Sequence, residues 1–357
     1  MPLLRHIRIP PVPSTGKSVA PRYPTYAHVD SIQSKLQARL LDYKASLSSE
    51  HPKPAPAPSI LSFTPAPTYT LGRRQTQPLS AEQERRLRAP LHVQHPVLNS
   101  RDGHDKYSAG EGSQSRSFAP EVTNTPRGGL ATYHGPGQVV FWPVIDLHSP
   151  LHRHFTVRDY ACLLEKTTIA ALARATEVFS PQGVTALRDA EKTVIRGFTT
   201  KENPGVWVNN HPAQGPEHER KIAALGVQLR RHVTSLGVAV NISMPVSGPE
   251  LTNPWGRIVA CGIEDKGVTS VMDELYGEHW RSTVKKSAAE KEKELYLRIA
   301  EVLRRQLEVV WVEEFTKRLE LKTDSTSTNQ SRQVEEYLPK DGPDSGWLSG
   351  ERNDELV

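Results

Sequence analysis

The chain has 357 residues, of which 36% are apolar and a further 23 are glycine, a little under the roughly 45–50% usual for globular chains. Its 45 Lys and Arg against 40 Asp and Glu leave a formal charge of +5, scattered in pairs such as Arg73-Arg74 and Arg230-Arg231 rather than striped with aromatics, so no nucleic-acid partner is expected. No window approaches eighteen uninterrupted apolar residues, which argues against a membrane-spanning helix, and two cysteines, Cys162 and Cys261, exclude a disulfide framework and fit a reducing compartment.

Of the 29 prolines, 15 lie in residues 1–96 and none between Pro254 and Pro339, so the start is turn-rich and the end can hold long helices. Residues 1–29 carry Arg5, Arg8, Lys17 and Arg22 without an acid. They read either as a mitochondrial targeting peptide or as a first strand over 3–9 followed by a Pro-rich loop; without import the chain is expected to be cytoplasmic. Asp30, with Gln33 at the capping-box position, predicts a helix bearing Ile32, Leu36, Leu40, Tyr43 and Leu47, ended by Pro52 to Pro58. Short strands are expected over 59–63 and 69–71. Residues 78–117 lack periodicity and read as an inserted loop, mobile over 102–117.

Residues 139–145 form a continuous apolar run, the pattern of a buried strand. Thr156 caps a helix to about residue 174 with Tyr160, Leu163, Leu164, Thr167 and Ala171 on one side; Cys162 on that helix reads as a buried apolar cysteine. Residues 181–204 look irregular, with one strand near Val194-Ile195. Strands follow over 205–208, 225–230 and 236–242, the last two a hairpin turning at 231–235, with Val238, Val240 and Ile242 on one face. A short helix over 268–276 precedes a long one over 285–321 whose core face is Leu295, Ile299, Val302, Leu303, Gln306 and Val310. From Lys322 the polar composition predicts a disordered tail over 322–357. Strands in the middle and helices at both ends predict an α+β fold, a mixed, largely antiparallel sheet flanked by helices, in one domain over 30–321 with loop insertions at 76–117, 182–198 and 209–220.

The densest chemical signal is Arg127-Gly128-Gly129-Leu130-Ala131-Thr132-Tyr133-His134-Gly135-Pro136-Gly137-Gln138. Four glycines just before an apolar strand describe backbone that something approaches closely, or an elaborate turn. Arg127 can meet an anionic group, and Thr132, Tyr133 and His134 can hydrogen-bond in the same pocket. It is neither a Walker A loop nor a Rossmann fingerprint. His92, His95, His148, His152 and His154 invite a zinc reading, but no ligand spacing accompanies them, and no metal is expected.

The segment from Arg127 to Gln138 resembles the signature of the lipoate-protein octanoyltransferases, Arg-Gly-Gly, two variable residues, then Thr-Tyr/Phe-His-Gly-Pro-Gly-Gln, with every fixed position present. Three further blocks match in order: Asn203 to Val208, Lys221 to Val227, and Gly237 to Asn241 followed by Ala260-Cys261-Gly262-Ile263. Tyr69-Thr70-Leu71-Gly72-Arg73 resembles the family's earlier Thr-x-Gly strand end. Ala260 stands where many members carry Pro. The likeness covers roughly residues 59–75 and 118–280.

The resemblance implies the α/β-sandwich fold of the biotin and lipoate protein ligase catalytic domain. It implies transfer of octanoyl from octanoyl-acyl carrier protein to a lysine of lipoyl domains, in 2-oxoacid dehydrogenase complexes and glycine cleavage H protein, with no cofactor, nucleic acid or membrane involved. By the same likeness Cys261 is the acyl-accepting nucleophile and Lys221 lowers its pKa. Residues 127–134, Ala224, Leu225, Gly226, Gly237, Val238 and Ala239 line the acyl site. The residue chemistry is compatible. A free thiol with a pKa of about 8.5 is only a few per cent thiolate near neutrality, and a nearby ammonium raises that share. Leu130, Leu225, Val227 and Val238 offer an apolar tunnel wall, and backbone N–H groups near Cys261-Gly262 an oxyanion site. Two other readings stay open: an ATP-dependent lipoate or biotin protein ligase, and a non-catalytic lipoyl-domain-binding protein.

Overall fold

The computed structural model describes residues 4–13, 21–100, 107–178, 194–209, 215, 218–258, 266–284, 290–321, 333–338, 346–348 and 351–352. Elements β1 (Arg5–Ile9), β2 (Val12–Pro13) and β3 (Pro21–Pro24) lead into α1 (Tyr26–Ser46). After β4 (Ser59–Phe63) and β5 (Thr68–Leu71) come α2 (Ala81–Arg88), β6 (Leu91–Ser100), β7 (Tyr107–Phe118), β8 (Glu121–Asn124), β9 (Thr132–His134) and β10 (Gln138–Val144). Then follow α3 (Val157–Val178), β11 (Gly205–Val208), β12 (Arg220–Arg230), β13 (Val233–Asn241), β14 (Gly267–Val268), α4 (Val271–Val284) and α5 (Glu290–Leu319). Strands β15 (Gln333–Glu336), β16 (Trp347–Leu348) and β17 (Glu351–Arg352) complete the order.

The apolar run of β10 is buried along its length because the sheet is covered on both faces. Val139 and Phe141 point to the side of α3 and α5, where Phe141 stacks on Trp311 at 4.2 Å, while Val140, Trp142 and Val144 point to α1. The eight-stranded sheet runs β11-β12-β13-β10-β4-β1-β15, with β14 beside β12. It is mixed as expected: β10 is antiparallel to β4 and β13, and β12 to β11 and β13, whereas β1 is parallel to β4 and β15, and β14 to β12. The fold is therefore α+β, a sheet between helical layers.

Several expectations are corrected. Helix α1 starts five residues early, because Thr25 rather than Asp30 is the N-cap and accepts from the His28 N–H. Gln33 is buried, its side-chain oxygen accepting from the Leu236 N–H, and Leu47 is exposed. Within 78–117, a capping box of Ser80 and Gln83 opens α2, and β6 and β7 pair as a long antiparallel hairpin. No strand forms at Val194-Ile195, although Ile195 is buried. Strand β12 begins at Arg220, and the hairpin to β13 turns on two residues, Arg231 and His232, both at positive φ. Cys162 is half-buried rather than buried. Helix α4 extends to Val284 across a kink at Gly277, and on α5 Val302 is exposed while Leu303, Leu307 and Trp311 face the core. Inside 322–357, β15 lies parallel to β1 and β16 pairs with β3. The basic start also has a structural place, since β1 is an inner strand of the sheet.

Candidate active site

The Gly-rich segment links β8 to β9 and folds over the end of β5. Strand β5 pairs in parallel with β8 and antiparallel with β9, setting Thr70 opposite Thr132 and Thr68 opposite His134. The turn after β5 fastens the loop: Gly72, Arg73 and Arg74 donate their N–H groups to Leu130, Arg127 and Gly129 carbonyls at 3.3, 2.9 and 3.1 Å. Gly72 is required there, because a Cβ would stand 2.4 Å from the Gly129 oxygen.

Strand alternation decides which loop residues face the cleft. Thr132 and His134 point to the sheet, whereas Tyr133 turns the other way to pack on Tyr69 (5.2 Å) and Trp255. A cleft of about 390 Å³ is lined by Arg127, Thr132, His134, Ala224, Leu225, Gly226, Gly237, Val238 and Ala239, nine of the residues expected from sequence, together with Tyr26, Val140, Trp142 and Leu236. Tyr133 instead lines a second, larger and more apolar cavity with Met244, Trp280 and Leu297. Gly128, Gly129, Leu130 and Ala131 build the loop but do not line the cleft, and Val227 packs into the α3–α5 core.

The floor of the cleft is the β12–β13 pair, where Gly226 faces Gly237. The Arg127 stem lies on Gly226, where a Cβ would be 2.7 Å from its Cδ. Leu236 has φ of 61°, a conformation a branched side chain rarely holds, and this swings it onto the α1 side although Val238 and Val240 face α3 and α5. Arg127 is buried: its Nη2 donates to the Thr70 carbonyl and hydroxyl at 2.6 and 2.8 Å, and its Nη1 to the Gly128 carbonyl at 3.0 Å. It thus ties the loop down rather than standing open for an anion.

His134 stacks on Tyr26, with centroids 6.0 Å apart, and its Nδ1 meets Gln138 Oε1 at 3.2 Å. Burial, aided by the Arg127 charge and opposed by Gln138, pushes its pKa down to about 3, so the ring is neutral at physiological pH. The Thr132 hydroxyl is buried without a hydrogen-bond partner, and the His134 ring makes its hydrogen bond to Gln138 through Nδ1. Burial raises the Tyr26 phenol far above neutrality, so it is protonated.

Lys221, the second residue of β12, is buried; Nζ donates to the Pro204 carbonyl at 3.2 Å and lies 4.6 Å from the Trp207 ring centroid. It is not on the cleft wall. Strand β14 runs beside it, and Thr269 donates its N–H to the Lys221 carbonyl. Cys261 lies outside the described residues, as do parts of the loops at 182–198 and 209–220. Tyr26 and Trp142 are cleft residues that sequence reasoning missed. Trp142 shares the strand parity of Val140, a readable signal, whereas Tyr26 arrives by tertiary packing of α1. Among the described residues, no group of three or more His, Cys, Asp or Glu side chains is placed to hold a metal.

A cleft over an α+β sheet, lined by a neutral imidazole and a buried threonine among apolar and glycine positions, is the layout of an enzyme site. Residues 113–291 match the lipoyl protein ligase A/B catalytic domain, and the chain belongs to this family. It is 28% identical over 250 residues to the "Probable octanoyltransferase" of Schizosaccharomyces pombe, covering 70% of this chain and 81% of the relative. To the octanoyltransferase of Paramagnetospirillum magneticum it is 36% identical over 185 residues, 51% of this chain and 69% of the relative. To that of Rhodopseudomonas palustris BisA53 it is 39% identical over 151 residues, 42% of this chain, and it spans about half (53%) of that relative's length. Among solved structures, P. falciparum LipL1 in complex with lipoate aligns over 93% of this chain and 66% of its own at 11% identity and a TM-score of 0.41. Lipoate-protein ligase A bound with ATP aligns over 88% and 94% at 10% identity and 0.36. By its family and curated relatives the chain is an acyltransferase.

Proposed function

We propose that this acyltransferase moves octanoyl from octanoyl-acyl carrier protein to a lysine of lipoyl domains, those of 2-oxoacid dehydrogenase complexes and glycine cleavage H protein, through a thioester on Cys261. The observation that carries the reading is the convergence of the Gly-rich loop with β12 and β13 on one cleft, in a chain whose curated relatives are octanoyltransferases. In the first half-reaction the Cys261 thiolate adds to the carrier thioester, and the carrier thiolate leaves and takes up a proton. In the second, the neutral lysine nitrogen adds to the Cys261 thioester, the C–S bond breaks, and the proton lost by nitrogen restores the thiol. Thioester exchange is nearly balanced in energy and amide formation is downhill, so neither step calls for ATP. The buried Lys221 ammonium is the charge suited to favouring the thiolate.

The test is intact-protein mass spectrometry after incubation with octanoyl-acyl carrier protein. A gain of one octanoyl group, absent in Cys261→Ala, supports the reading; no gain, or label that persists in Cys261→Ala, overturns it. An acyl-adenylate formed from free octanoate and ATP favours a ligase instead. The acid-free basic stretch over 1–29 supports a mitochondrial destination, which imaging of a C-terminally tagged chain tests; a cytosolic signal overturns it.

A further inference from the structure

Two buried side-chain amides behind the cleft fix the protonation pattern of its histidine. Gln138 is fully buried and Asn241 nearly so. Asn241 Nδ2 donates to the Thr269 carbonyl at 2.9 Å. A carbonyl only accepts, so the nitrogen end of Asn241 faces Thr269 and its oxygen faces Gln138. That oxygen and the Tyr133 carbonyl both receive Gln138 Nε2, at 2.8 and 3.2 Å. The Gln138 amide is therefore oriented from two sides, and its Oε1, an acceptor, is left for His134 Nδ1 at 3.2 Å. The neutral ring must then carry its hydrogen on Nδ1 and its lone pair on Nε2, on the side chain that lines the cleft. Beside it on the same face of β9 is the partnerless Thr132 hydroxyl. The far end of the relay returns to Lys221, because Thr269, whose carbonyl anchors Asn241, donates its N–H to the Lys221 carbonyl at 3.0 Å.

We propose that Gln138 and Asn241 are positioning residues that lock His134 in the Nδ1–H tautomer, so that Nε2 accepts an N–H from the incoming lysine amine while the Thr132 hydroxyl donates to the acyl carbonyl. The inference rests on the acyl-transfer reading for the identity of the amine, whereas the tautomer lock rests on the amide geometry behind the ring and on the burial that keeps the ring neutral. A ring kept neutral by burial accepts a hydrogen bond without taking the proton, so His134 aims the amine, and the proton still passes to the released sulfur. An acceptor at one point and a donor two residues along the strand match a nucleophilic amine and a carbonyl, which need opposite partners.

The lock is read by long-range ¹H–¹⁵N NMR of the ligand-free, full-length protein near neutral pH, with His134 assigned by the loss of its signals in His134→Gln. The expected result is a protonated Nδ1 and a bare Nε2. In Gln138→Met and Gln138→Leu the hydrogen moves to Nε2 in most molecules; in Gln138→Glu, which keeps an acceptor, Nδ1 stays protonated. In single-turnover assays Gln138→Met slows octanoyl transfer to a lipoyl domain about tenfold or more, the loss of one aligned hydrogen bond. Acyl loading from the carrier stays within about twofold, and Gln138→Glu recovers part of the transfer rate. Nε2–H in the unaltered protein, an unchanged tautomer in both Gln138→Met and Gln138→Leu, or equal slowing of both half-reactions overturns the proposal. If neither Gln138 variant folds, the tautomer of the unaltered protein decides it. Failure to form any acyl-enzyme defeats the acyl-transfer reading instead, and the spectra report on the lock regardless.

Discussion

Two buried polar clusters sit on opposite sides of the sheet and are treated differently by the fold. Where α5 crosses β1 and β4, Ser62 donates to Glu308, His6 Nε2 meets the Ser62 oxygen at 2.7 Å, Arg304 reaches Glu308 at 3.3 Å and Glu301 at 2.8 Å, and Arg8 reaches Glu308 at 3.4 Å. Burial alone raises the Glu308 carboxyl, but the Arg304 and Arg8 charges and the Ser62 hydroxyl outweigh it and hold it at about 2. The trio of His, Ser and Glu is not a nucleophilic relay, because the serine stands between the other two and all three are buried. At the cleft, Thr132 and His134 are as buried, and the Thr132 hydroxyl has no hydrogen-bond partner. Burial therefore does not distinguish a site from a brace, and neither does an unmet donor alone, since Arg8 Nε in the α5 cluster also lacks a partner; what sets Thr132 and His134 apart is that both line the cleft.

The comparison breaks most visibly at Glu308. Glu308→Ala removes the buried carboxylate that Arg304, Arg8 and Ser62 share, leaving Arg304 with Glu301 and Arg8 with Glu336, and is expected to cost up to about 3–5 kcal/mol in denaturant unfolding. Acyl loading is expected to be unchanged at temperatures where the variant stays folded. A cost below about 1 kcal/mol would mean that the cluster is not a paired brace. On the cleft side, Gly226→Ala drives a methyl into the Arg127 stem, which cannot retreat without leaving Thr70. About 1–3 kcal/mol of stability is expected to go, together with acyl transfer at temperatures where the protein remains folded, and crystallography should find the 125–131 loop shifted.

Acid separates the two clusters. His134 titrates near 3 in the folded chain and near 6.5 when unfolded, so between those values the unfolded chain binds a proton that the folded chain does not. Its contribution is full above about pH 6.5 and falls as pH drops toward 3. From pH 7.5 to pH 5 the loss reaches about 2 kcal/mol, and His134→Gln should flatten that slope. Glu308 has the opposite chemistry and a lower window: its stabilisation is present above about 4.5 and is lost as pH falls toward 2. Subtracting the variant unfolding curve from that of the unaltered protein at each pH isolates the histidine. A difference that does not change between pH 7.5 and 5 would remove His134 from the buried neutral state.

What sequence made legible follows from local rules. The glycines before β10 marked the loop, period-two alternation put Val238, Val240 and Ile242 on one face, and the block carrying Lys221 does open a strand. What it hid depends on partners distant in the chain. The hairpin of β6 and β7 carries too little apolar alternation to announce itself. Thr25 and Asp30 are both able to cap a helix, and the Thr25 N–H, bound to the Gly346 carbonyl, belongs to a contact visible only after folding. Leu236 leaves its strand parity through a positive φ that no pattern encodes, and Tyr133, read as a cleft residue by its motif, is turned away by the alternation of β9.

The smallest expected effect lies at the sheet edge. Strand β15 comes from a stretch whose composition looks unfolded, yet Arg5 grips Glu335 through two hydrogen bonds at 3.0 and 2.8 Å, and the Tyr337 N–H reaches the Arg8 carbonyl at 2.7 Å. Both partners of the Arg5–Glu335 pair are partly exposed, so solvent screens the attraction, and Glu335→Ala is expected to cost below about 1 kcal/mol, shrinking further in high salt. The main-chain pairing, not the ion pair, then holds the strand. Hydrogen exchange at residues 333–336 should be nearly the same in Glu335→Ala and in the unaltered protein. A large rise in exchange, with global stability unchanged, would show that the edge is held by charge, as the α5 cluster is, rather than by backbone.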